Sequence, residues 1–95
     1  MLDELLILKK IKGGDIKAFE ELFRRYYFPL CCYAAGITGQ MEVAEEIVEE
    51  LFYVLWKERE RLQIFQSVKS YLYRATRNQS LQYCEHEEVR NRYRE

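Results

Sequence analysis

The sequence predicts an all-α fold, a compact domain of three to four packed helices. Apolar residues recur at intervals of three and four along most of the chain, which is the periodicity of amphipathic helices. Only four glycines and one proline interrupt this pattern, and no stretch shows the alternation typical of a β-strand. A chain of 95 residues can bury a single core, so we expect residues 1–95 to form one domain.

Two helices are predicted in the first part of the chain. The first is short and ends at the glycine pair Gly13 and Gly14. Asp15 is a natural N-cap for the second helix, because its carboxylate can accept hydrogen bonds from the free amides of a first turn. Apolar residues at helical spacing mark both helices: Leu2, Leu5, Leu6 and Leu8 in the first, and Phe19, Leu22, Phe23, Tyr26 and Tyr27 in the second.

Pro29 is expected to interrupt the second helix. Proline lacks an amide proton and its ring clashes with the preceding turn, which predicts a kink at this position. The helix should resume over residues 31–35 and end near Gly36 or Gly39.

The third helix is predicted to be long and to carry one very acidic face. Its apolar stripe consists of Ala44, Ile47, Val48, Leu51, Val54 and Leu55, and its acidic side consists of Glu42, Glu45, Glu46, Glu49 and Glu50. Like charges at this spacing repel one another, and the pair Glu49 and Glu50 lies too deep in the helix to be compensated by the helix dipole. The residues alone leave two interpretations open, a solvated face or a docking surface for a basic partner helix; the neighbouring aromatics Phe52, Tyr53 and Trp56 favour docking.

A fourth helix is predicted after a loop at residues 63–66, with Ser67 as its cap. At about 100° per residue, Val68, Tyr71, Leu72 and Ala75 fall on a core arc, and Lys69, Tyr73, Arg74 and Arg77 fall on the opposite arc. The cations could simply balance the acidic helix. The interleaved tyrosines and Asn78 indicate a second interpretation, a surface that stacks single-stranded bases and holds phosphates.

Composition excludes several classes of function. The net charge of −1 means that any nucleic-acid contact must come from a local patch. No apolar run could cross a bilayer and no signal peptide is recognisable, so we expect a cytoplasmic protein without membrane insertion. The cysteines Cys31, Cys32 and Cys84 form no metal-binding pattern, and the single histidine, His86, lies among glutamates without a nucleophile. We therefore expect that the protein is not an enzyme and that it binds neither a metal ion nor a cofactor.

Three motifs together resemble a known family. The stretches "AFEELFRRYYFPL", "VAEEIVEELFYVLWKERERL" and "SVKSYLYRATRNQSLQY" occur in this order. They resemble the conserved second region of extracytoplasmic-function (ECF) sigma factors, bacterial transcription initiation factors of the sigma-70 family, in the versions found in Bacteroidetes. The resemblance covers residues 15–93 and implies the all-α region 2 fold and a role in transcription initiation.

The resemblance also implies partners and binding residues. The acidic helix would dock on the clamp coiled coil of the largest subunit of core RNA polymerase, through Glu46, Glu49, Glu50 and Tyr53. The last helix and the loop before it would bind the melted −10 element of promoter DNA. The loop pocket would lie at residues 62–67, and the DNA contacts would be made by Lys69, Tyr73, Arg74, Arg77 and Asn78. An anti-sigma factor is the third implied partner.

The chain departs from the family pattern near the end of the last helix. Gln82, Glu85 and His86 stand where an aspartate and a basic pair are usual, which lowers the positive charge available to upstream phosphates. Arg90, Arg92 and Arg94 could make those contacts instead. The C-terminal helix-turn-helix domain of such factors is absent from this chain, so we expect a domain excised from a longer protein. The alternative is a sigma-like protein-interaction module without DNA binding, which titrates a regulator or self-associates.

Overall fold

The fold is all-α, as the sequence predicts. A computed structural model describes residues 3–63 and 67–94 of the chain, with the side chain of Arg94 excepted. Four α-helices follow one another: α1 (Glu4–Lys12), α2 (Ile16–Thr38), α3 (Met41–Lys57) and α4 (Val68–Arg94). A short 3-10 helix, Arg59–Arg61, follows α3. The described residues contain no β-strand.

Local hydrogen bonds set the beginnings of three helices. The Asp3 carboxylate accepts from the backbone amide of Leu5 at 3.1 Å. Asp15 accepts from the amides of the first turn of α2 at 3.0 and 3.2 Å. The Ser67 hydroxyl accepts from the amide of Ser70 at 3.1 Å. Each cap pairs amides that have no partner inside the helix, which confirms the predicted caps Asp15 and Ser67.

The second helix is continuous through Pro29, so the predicted interruption is wrong. Pro29 is exposed, and water can therefore reach the carbonyl group of Arg25 that proline leaves without an amide donor. The helix ends at Thr38, and Gly39 takes the left-handed conformation with φ 78° while its amide donates to the carbonyl of Ala35 at 2.8 Å. This end agrees with the sequence, because a left-handed residue after a helix is favourable for glycine.

The core forms around α2, which packs against each of the other three α-helices. Its fully buried side chains include Ile7 and Ile11 of α1, Leu22 and Leu30 of α2, Val48 and Phe52 of α3, and Val68 and Leu72 of α4. Phe52 lies between Phe19 and Phe23, with ring centroids 6.1 and 5.0 Å away. The expectation that Phe52 and Trp56 belong to a docking surface is thus wrong for Phe52, which is buried, and Trp56 is half-buried against Phe19.

The face that α4 turns to the core differs from the predicted arc. Val68 and Leu72 are buried as expected, but the next buried positions are Thr76 and Ser80. Tyr71 is exposed and Tyr73 is half-buried, in an edge-to-face contact with Tyr33 at 5.1 Å. Thr76 can be buried because its hydroxyl donates to the carbonyl of Leu72 at 2.8 Å. The prediction considered only apolar residues, so it missed Thr76 and Ser80. The predicted core face of α4 therefore lies at a different angle around the helix from the observed one.

Polar contacts hold α1 on the middle of α2. The Glu4 carboxylate accepts from the Tyr26 hydroxyl at 2.7 Å and pairs with the Arg25 guanidinium at 3.3 Å. Burial, together with the hydrogen bond and the charge of Glu4, raises the pKa of Tyr26 to about 12, so the hydroxyl is a stable donor at neutral pH. Apolar residues of α1 then complete the core beside this contact.

Candidate nucleic-acid and protein interfaces

The predicted docking residues of α3 form one continuous surface. Glu46, Glu49, Glu50 and Tyr53 are all exposed, and at about 100° per residue they share an arc of about 100° on the outer side of the helix. We call these four residues the acidic ridge. The structure thus brings together every residue predicted for this surface.

One carboxylate of the acidic ridge is oriented by α2. The Tyr27 hydroxyl donates to Glu49 at 3.1 Å. Burial raises the pKa of the Tyr27 hydroxyl, and the neighbouring Cys31 and Glu49 add to the rise, so that the hydroxyl keeps its proton. In the sequence Tyr27 was recognised only as one of the apolar positions that mark the second helix. Its contact with Glu49 depends on how α2 and α3 are aligned along each other.

The other two carboxylates of the acidic ridge, Glu46 and Glu50, have no positively charged side chain among residues 3–63 and 67–94 close enough to form an ion pair with them. Within the described residues, Glu46 and Glu50 have no hydrogen-bond donor and no cation within 4 Å. Beside them the Tyr53 side chain is 58% exposed, with the Lys57 ammonium 5.9 Å from its ring centroid. A ridge of this kind is electrostatically complementary to a basic partner.

An open groove separates the acidic ridge from α4. Its volume is about 700 Å³, with apolar walls formed by Ile47, Leu51 and Val54 on one side and Tyr71 and Ala75 on the other. Glu46 and Glu50, together with Asn78 of α4, are the charged and polar residues that also line it beside Gln79. Half of the apolar stripe predicted for α3, namely Ile47, Leu51 and Val54, therefore lines this groove.

The predicted basic surface of α4 is also exposed. Lys69, Arg74 and Arg77 have no carboxylate within 4 Å among the described residues. We call these three residues the basic face. Asn78 is exposed at the border between the basic face and the groove, whereas Tyr73 packs against Tyr33 and offers only part of its ring. The structure thus brings four of the five predicted residues to the surface and holds Tyr73 half-buried.

Local contacts hold the residues on either side of positions 64–66, namely Arg59 and Leu62 before them and Ser67 after them. The Arg59 guanidinium stacks on the Trp56 ring at 4.3 Å and donates to the Trp56 carbonyl at 3.0 Å, which fixes the 3-10 helix to the end of α3. Leu62 is buried, and Ser67 caps α4. Residues 64–66 of the predicted pocket lie outside the described residues.

The C-terminal part of α4, residues 82–94, is called its distal part. It contains two ion pairs within the helix. Arg90 pairs with Glu87 at 3.1 Å and Arg92 with Glu88 at 3.4 Å, each within the same helix. These two arginines, which the sequence offered as replacement phosphate contacts, are therefore paired with glutamates of their own helix, although both remain largely exposed. The side chain of Arg94 lies outside the described residues.

Neither metal ligation nor a membrane span is visible in the part of the chain that the structure describes. No group of three or more histidine, cysteine, aspartate or glutamate side chains there is arranged to hold a metal ion. Burial raises the pKa of the Cys31 thiol, while Cys32 is exposed and Cys84 is half-buried, and all three are free thiols. No helix among residues 3–63 and 67–94 combines the length and apolar character needed to cross a bilayer.

Comparisons with known proteins give a family and a fold. The family model for Sigma-70 region 2 matches residues 22–89. A solved structure, the NMR structure of an engineered region 2 of sigmaE in complex with GTAAAA, superposes with a TM-score of 0.78 and 21% sequence identity, covering 94% of this chain and 93% of the other. No curated protein matches significantly. The family match spans well over half of the sequence, and the chain belongs to the sigma-70 region 2 family.

Proposed function

We propose that this domain is the region 2 domain of an ECF-type sigma factor, acting in bacterial transcription initiation without catalysing a reaction. Two surfaces of opposite charge carry the proposal: the acidic ridge on α3 and the basic face on α4, neither neutralised by nearby side chains. Their separation supports one protein partner and one nucleic-acid partner, bound at the same time.

The acidic ridge is proposed to dock on the clamp coiled coil of the largest subunit of core RNA polymerase. A coiled coil presents long basic side chains along its outer positions, and exposed carboxylates with no intramolecular cation can pair with them at small desolvation cost. Tyr53 would add an aromatic contact at the centre of the ridge, since more than half of its side chain is exposed. Tyr27 would keep Glu49 in a single orientation for this contact.

The basic face and the segment before α4 are proposed to hold the melted −10 element. Lys69, Arg74 and Arg77 would bind phosphates, because each is exposed and unpaired, and Asn78 would contribute a polar contact at the groove edge. The segment at residues 62–67 would receive a base taken out of the stack. The likeness to a region 2 structure solved with the oligonucleotide GTAAAA supports the choice of single-stranded DNA.

The groove between α3 and α4 is proposed to take part in binding an anti-sigma factor. Its apolar walls adjoin the acidic ridge, so a protein seated there would cover the surface proposed for polymerase. Exposed apolar surface next to a charged patch is typical of protein interaction sites. We place the domain in the cytoplasm, where polymerase and promoter DNA are available.

Docking is tested by charge reversal on the ridge. Binding of the wild-type domain to the isolated polymerase coiled coil is compared with that of Glu49→Lys/Glu50→Lys and of the control Glu60→Lys/Glu85→Lys, which changes the same charge at exposed positions elsewhere. We expect the ridge variant alone to lose binding. Equal binding by all three proteins, or none by the folded wild type, would contradict the proposed docking.

DNA binding is tested separately. The dissociation constant for GTAAAA is measured by fluorescence anisotropy at several salt concentrations, for the wild type and for Arg74→Gln/Arg77→Gln. The slope of log K against log salt should fall by about 0.7 for each phosphate of the single strand that the variant no longer neutralises. An unchanged slope would show that these arginines do not bind phosphates.

The distal part of α4 supports a second candidate function. Glu85 and His86 replace basic residues of the family, and the nearby arginines are paired with glutamates. These features favour a sigma-like protein-interaction module that has lost DNA binding. Coiled-coil binding combined with no measurable affinity for GTAAAA or a scrambled hexamer would favour this alternative.

A further inference from the structure

A second basic surface lies where α1 meets α2, outside the residues that the family resemblance implicates. Lys9, Lys10 and Lys12 of α1 and Lys17 of α2 are all exposed. We call these four residues the lysine cluster. Within the described residues none of them has a carboxylate within 4 Å. Asp15 is the only acidic residue between positions 9 and 17, and its carboxylate is engaged by two backbone amides.

Contacts along the chain place the lysine cluster beside the segment that leads to α4. The first turn of α2 follows α1 after three residues, and Phe19 from that part of α2 lies 5.1 Å from Trp56. The Arg59 guanidinium also stacks on Trp56, at 4.3 Å from its ring centroid. Moreover, α1 itself packs against the 3-10 helix Arg59–Arg61 and against α4. The lysine cluster thus lies at the end of the bundle that holds the 3-10 helix.

Helix capping does not account for the lysine cluster. Cations near a helix C-terminus stabilise it by complementing the dipole, which is the ordinary explanation for such lysines. Here, however, backbone amides already satisfy three of the last four carbonyl groups of α1: Gly13 donates to Lys9 and Lys10 at 3.2 and 3.1 Å, and Gly14 donates to Ile11 at 2.9 Å. Lys9, Lys10 and Lys12 all lie in the last turn of α1, where few carbonyl groups remain for them to bond. Their ammonium groups are therefore available for an anionic ligand.

Cations outnumber acidic groups at the end of the bundle near the 3-10 helix. Five glutamates lie between positions 42 and 50 of α3. The end near the 3-10 helix carries the lysine cluster, Arg59, Arg61 and Lys69, together with the acidic residues Glu58 and Glu60, and Glu58 pairs with Arg61 at 3.5 Å. A chain with a net charge of −1 therefore has an excess of positive charge at this end, beside the start of α4. Local charge of this kind attracts phosphates regardless of the net charge.

We propose that the lysine cluster binds the phosphate backbone of single-stranded DNA as the strand continues past residues 62–67. The inference rests on the proposed DNA-binding function and extends it, since the bound strand would be longer than a hexanucleotide. Lys9 and Lys12 are three residues apart and share one face of α1, so they can contact neighbouring phosphates of one strand. Such contacts position the strand without reading its sequence.

The test compares two lengths of oligonucleotide. GTAAAA and a 16-nucleotide single strand with GTAAAA at its centre are titrated against the wild type, against Lys9→Gln/Lys12→Gln, and against Arg24→Gln/Lys57→Gln. The last variant removes the same charge from exposed positions on α2 and α3. Glutamine is as good a helix former as lysine, and the thermal melting midpoint of each variant verifies the fold.

We expect the wild type to bind the longer strand more tightly than GTAAAA and with a steeper salt dependence. The variant Lys9→Gln/Lys12→Gln should lose most of that gain, with a decrease in slope of up to about 1.4 for two phosphates, while keeping its affinity for GTAAAA. The control variant should behave as the wild type with both strands.

The outcomes separate this inference from the proposed function. If the wild type binds GTAAAA but gains nothing from the longer strand, or if both variants weaken equally, the lysine cluster is not a DNA contact although the proposed function stands. If the wild type binds neither strand, both proposals are overturned.

Discussion

The contact between Glu4 and Tyr26 gives a measurable prediction about how α1 is held on the domain. The Tyr26 hydroxyl donates to both oxygens of the Glu4 carboxylate, at 2.8 and 2.7 Å. The same carboxylate pairs with Arg25, and both members of that ion pair are only about a quarter exposed, at 28% and 27%. Tyr26→Phe removes the hydroxyl and keeps the ring, so it isolates the hydrogen bond from the packing.

The expected loss is about 1–2 kcal/mol of the free energy of unfolding. Hydrogen bonds to charged acceptors contribute about 1.5–3 kcal/mol, and the lower part of this range applies because Glu4 is partly solvated and water can replace the donor. In a domain of this size each kcal/mol corresponds to a shift of about 4–8 °C in the melting midpoint. Urea denaturation of the wild type and Tyr26→Phe measures the difference directly.

A double-mutant cycle with Glu4→Gln tests the cause. If the hydroxyl acts through Glu4, the two substitutions together should cost less than the sum of their separate costs, with a coupling of about 1 kcal/mol. Additive costs would refute the assignment, since they would mean that Tyr26 and Glu4 stabilise the domain independently.

High pH provides a second check on the same contact. The pKa of Tyr26 is raised to about 12 in the folded domain, compared with about 10 for an unfolded tyrosine. The protonated hydroxyl therefore contributes its stability fully below pH 10, and that contribution is lost as the pH rises through 12. The difference in stability between the wild type and Tyr26→Phe should shrink over this range; a constant difference from about pH 8 to about pH 11.5 would contradict the raised pKa.

Three further predictions concern stability and are measured by urea denaturation. Ser80→Ala should raise the free energy of unfolding by about 1 kcal/mol, because the buried Ser80 hydroxyl has no hydrogen-bond partner among the described residues; a loss of stability would indicate a partner. Asp15→Ala should cost about 1 kcal/mol and Asp15→Ser little, since only alanine abolishes the cap. Gly39→Ala should cost about 1 kcal/mol or more at φ 78°, whereas Gly36→Ala, at an open position inside α2, should stabilise by about 0.5–1 kcal/mol. Equal effects of the two glycine substitutions would refute the conformational argument.

Helix boundaries could be predicted from the sequence where a single residue decides them. Asp15 and Ser67 bind amides that are two or three positions away, and Gly39 adopts a conformation that its own lack of a side chain permits. Such interactions are local, so a short window of sequence contains all of their causes. Pro29 shows the limit of this reasoning, because tertiary packing and solvent access to one carbonyl allow a helix that the local rule interrupts.

The orientation of each helix was harder to predict, because it depends on partners far away in the chain. Thr76 and Ser80 of α4 are buried, although neither is apolar. Phe52 is enclosed by aromatic rings from α2, while Ile47 and Leu51 remain at the open groove. Periodicity indicates that a helix has an apolar side, but it does not locate the centre of that side.

The charged surfaces were more predictable than the core, for a physical reason. Burying an unpaired charge is very costly, so the glutamates of the acidic ridge and the cations of the basic face had to be exposed on almost any arrangement of these helices. Their helical spacing then decided which of them share a surface. By contrast, the hydrogen bond between Tyr27 and Glu49 requires a particular alignment of α2 along α3, and no local pattern encodes it.

Separate acidic and basic surfaces would let a domain with almost no net charge bind the two oppositely charged partners proposed above. The repulsion among the glutamates of α3 is a cost that the free domain bears, since within the described residues Glu46 and Glu50 meet no cation. A basic protein seated on the acidic ridge would relieve this repulsion and would also shield a DNA strand on α4 from the ridge. Such effects act over roughly 10 Å at 0.1 M salt. Glu46 and Glu50 of the acidic ridge line the same groove as Asn78 of α4, so the two surfaces approach one another most closely there. Docking and DNA binding should therefore favour each other, with a coupling that weakens as the salt concentration rises.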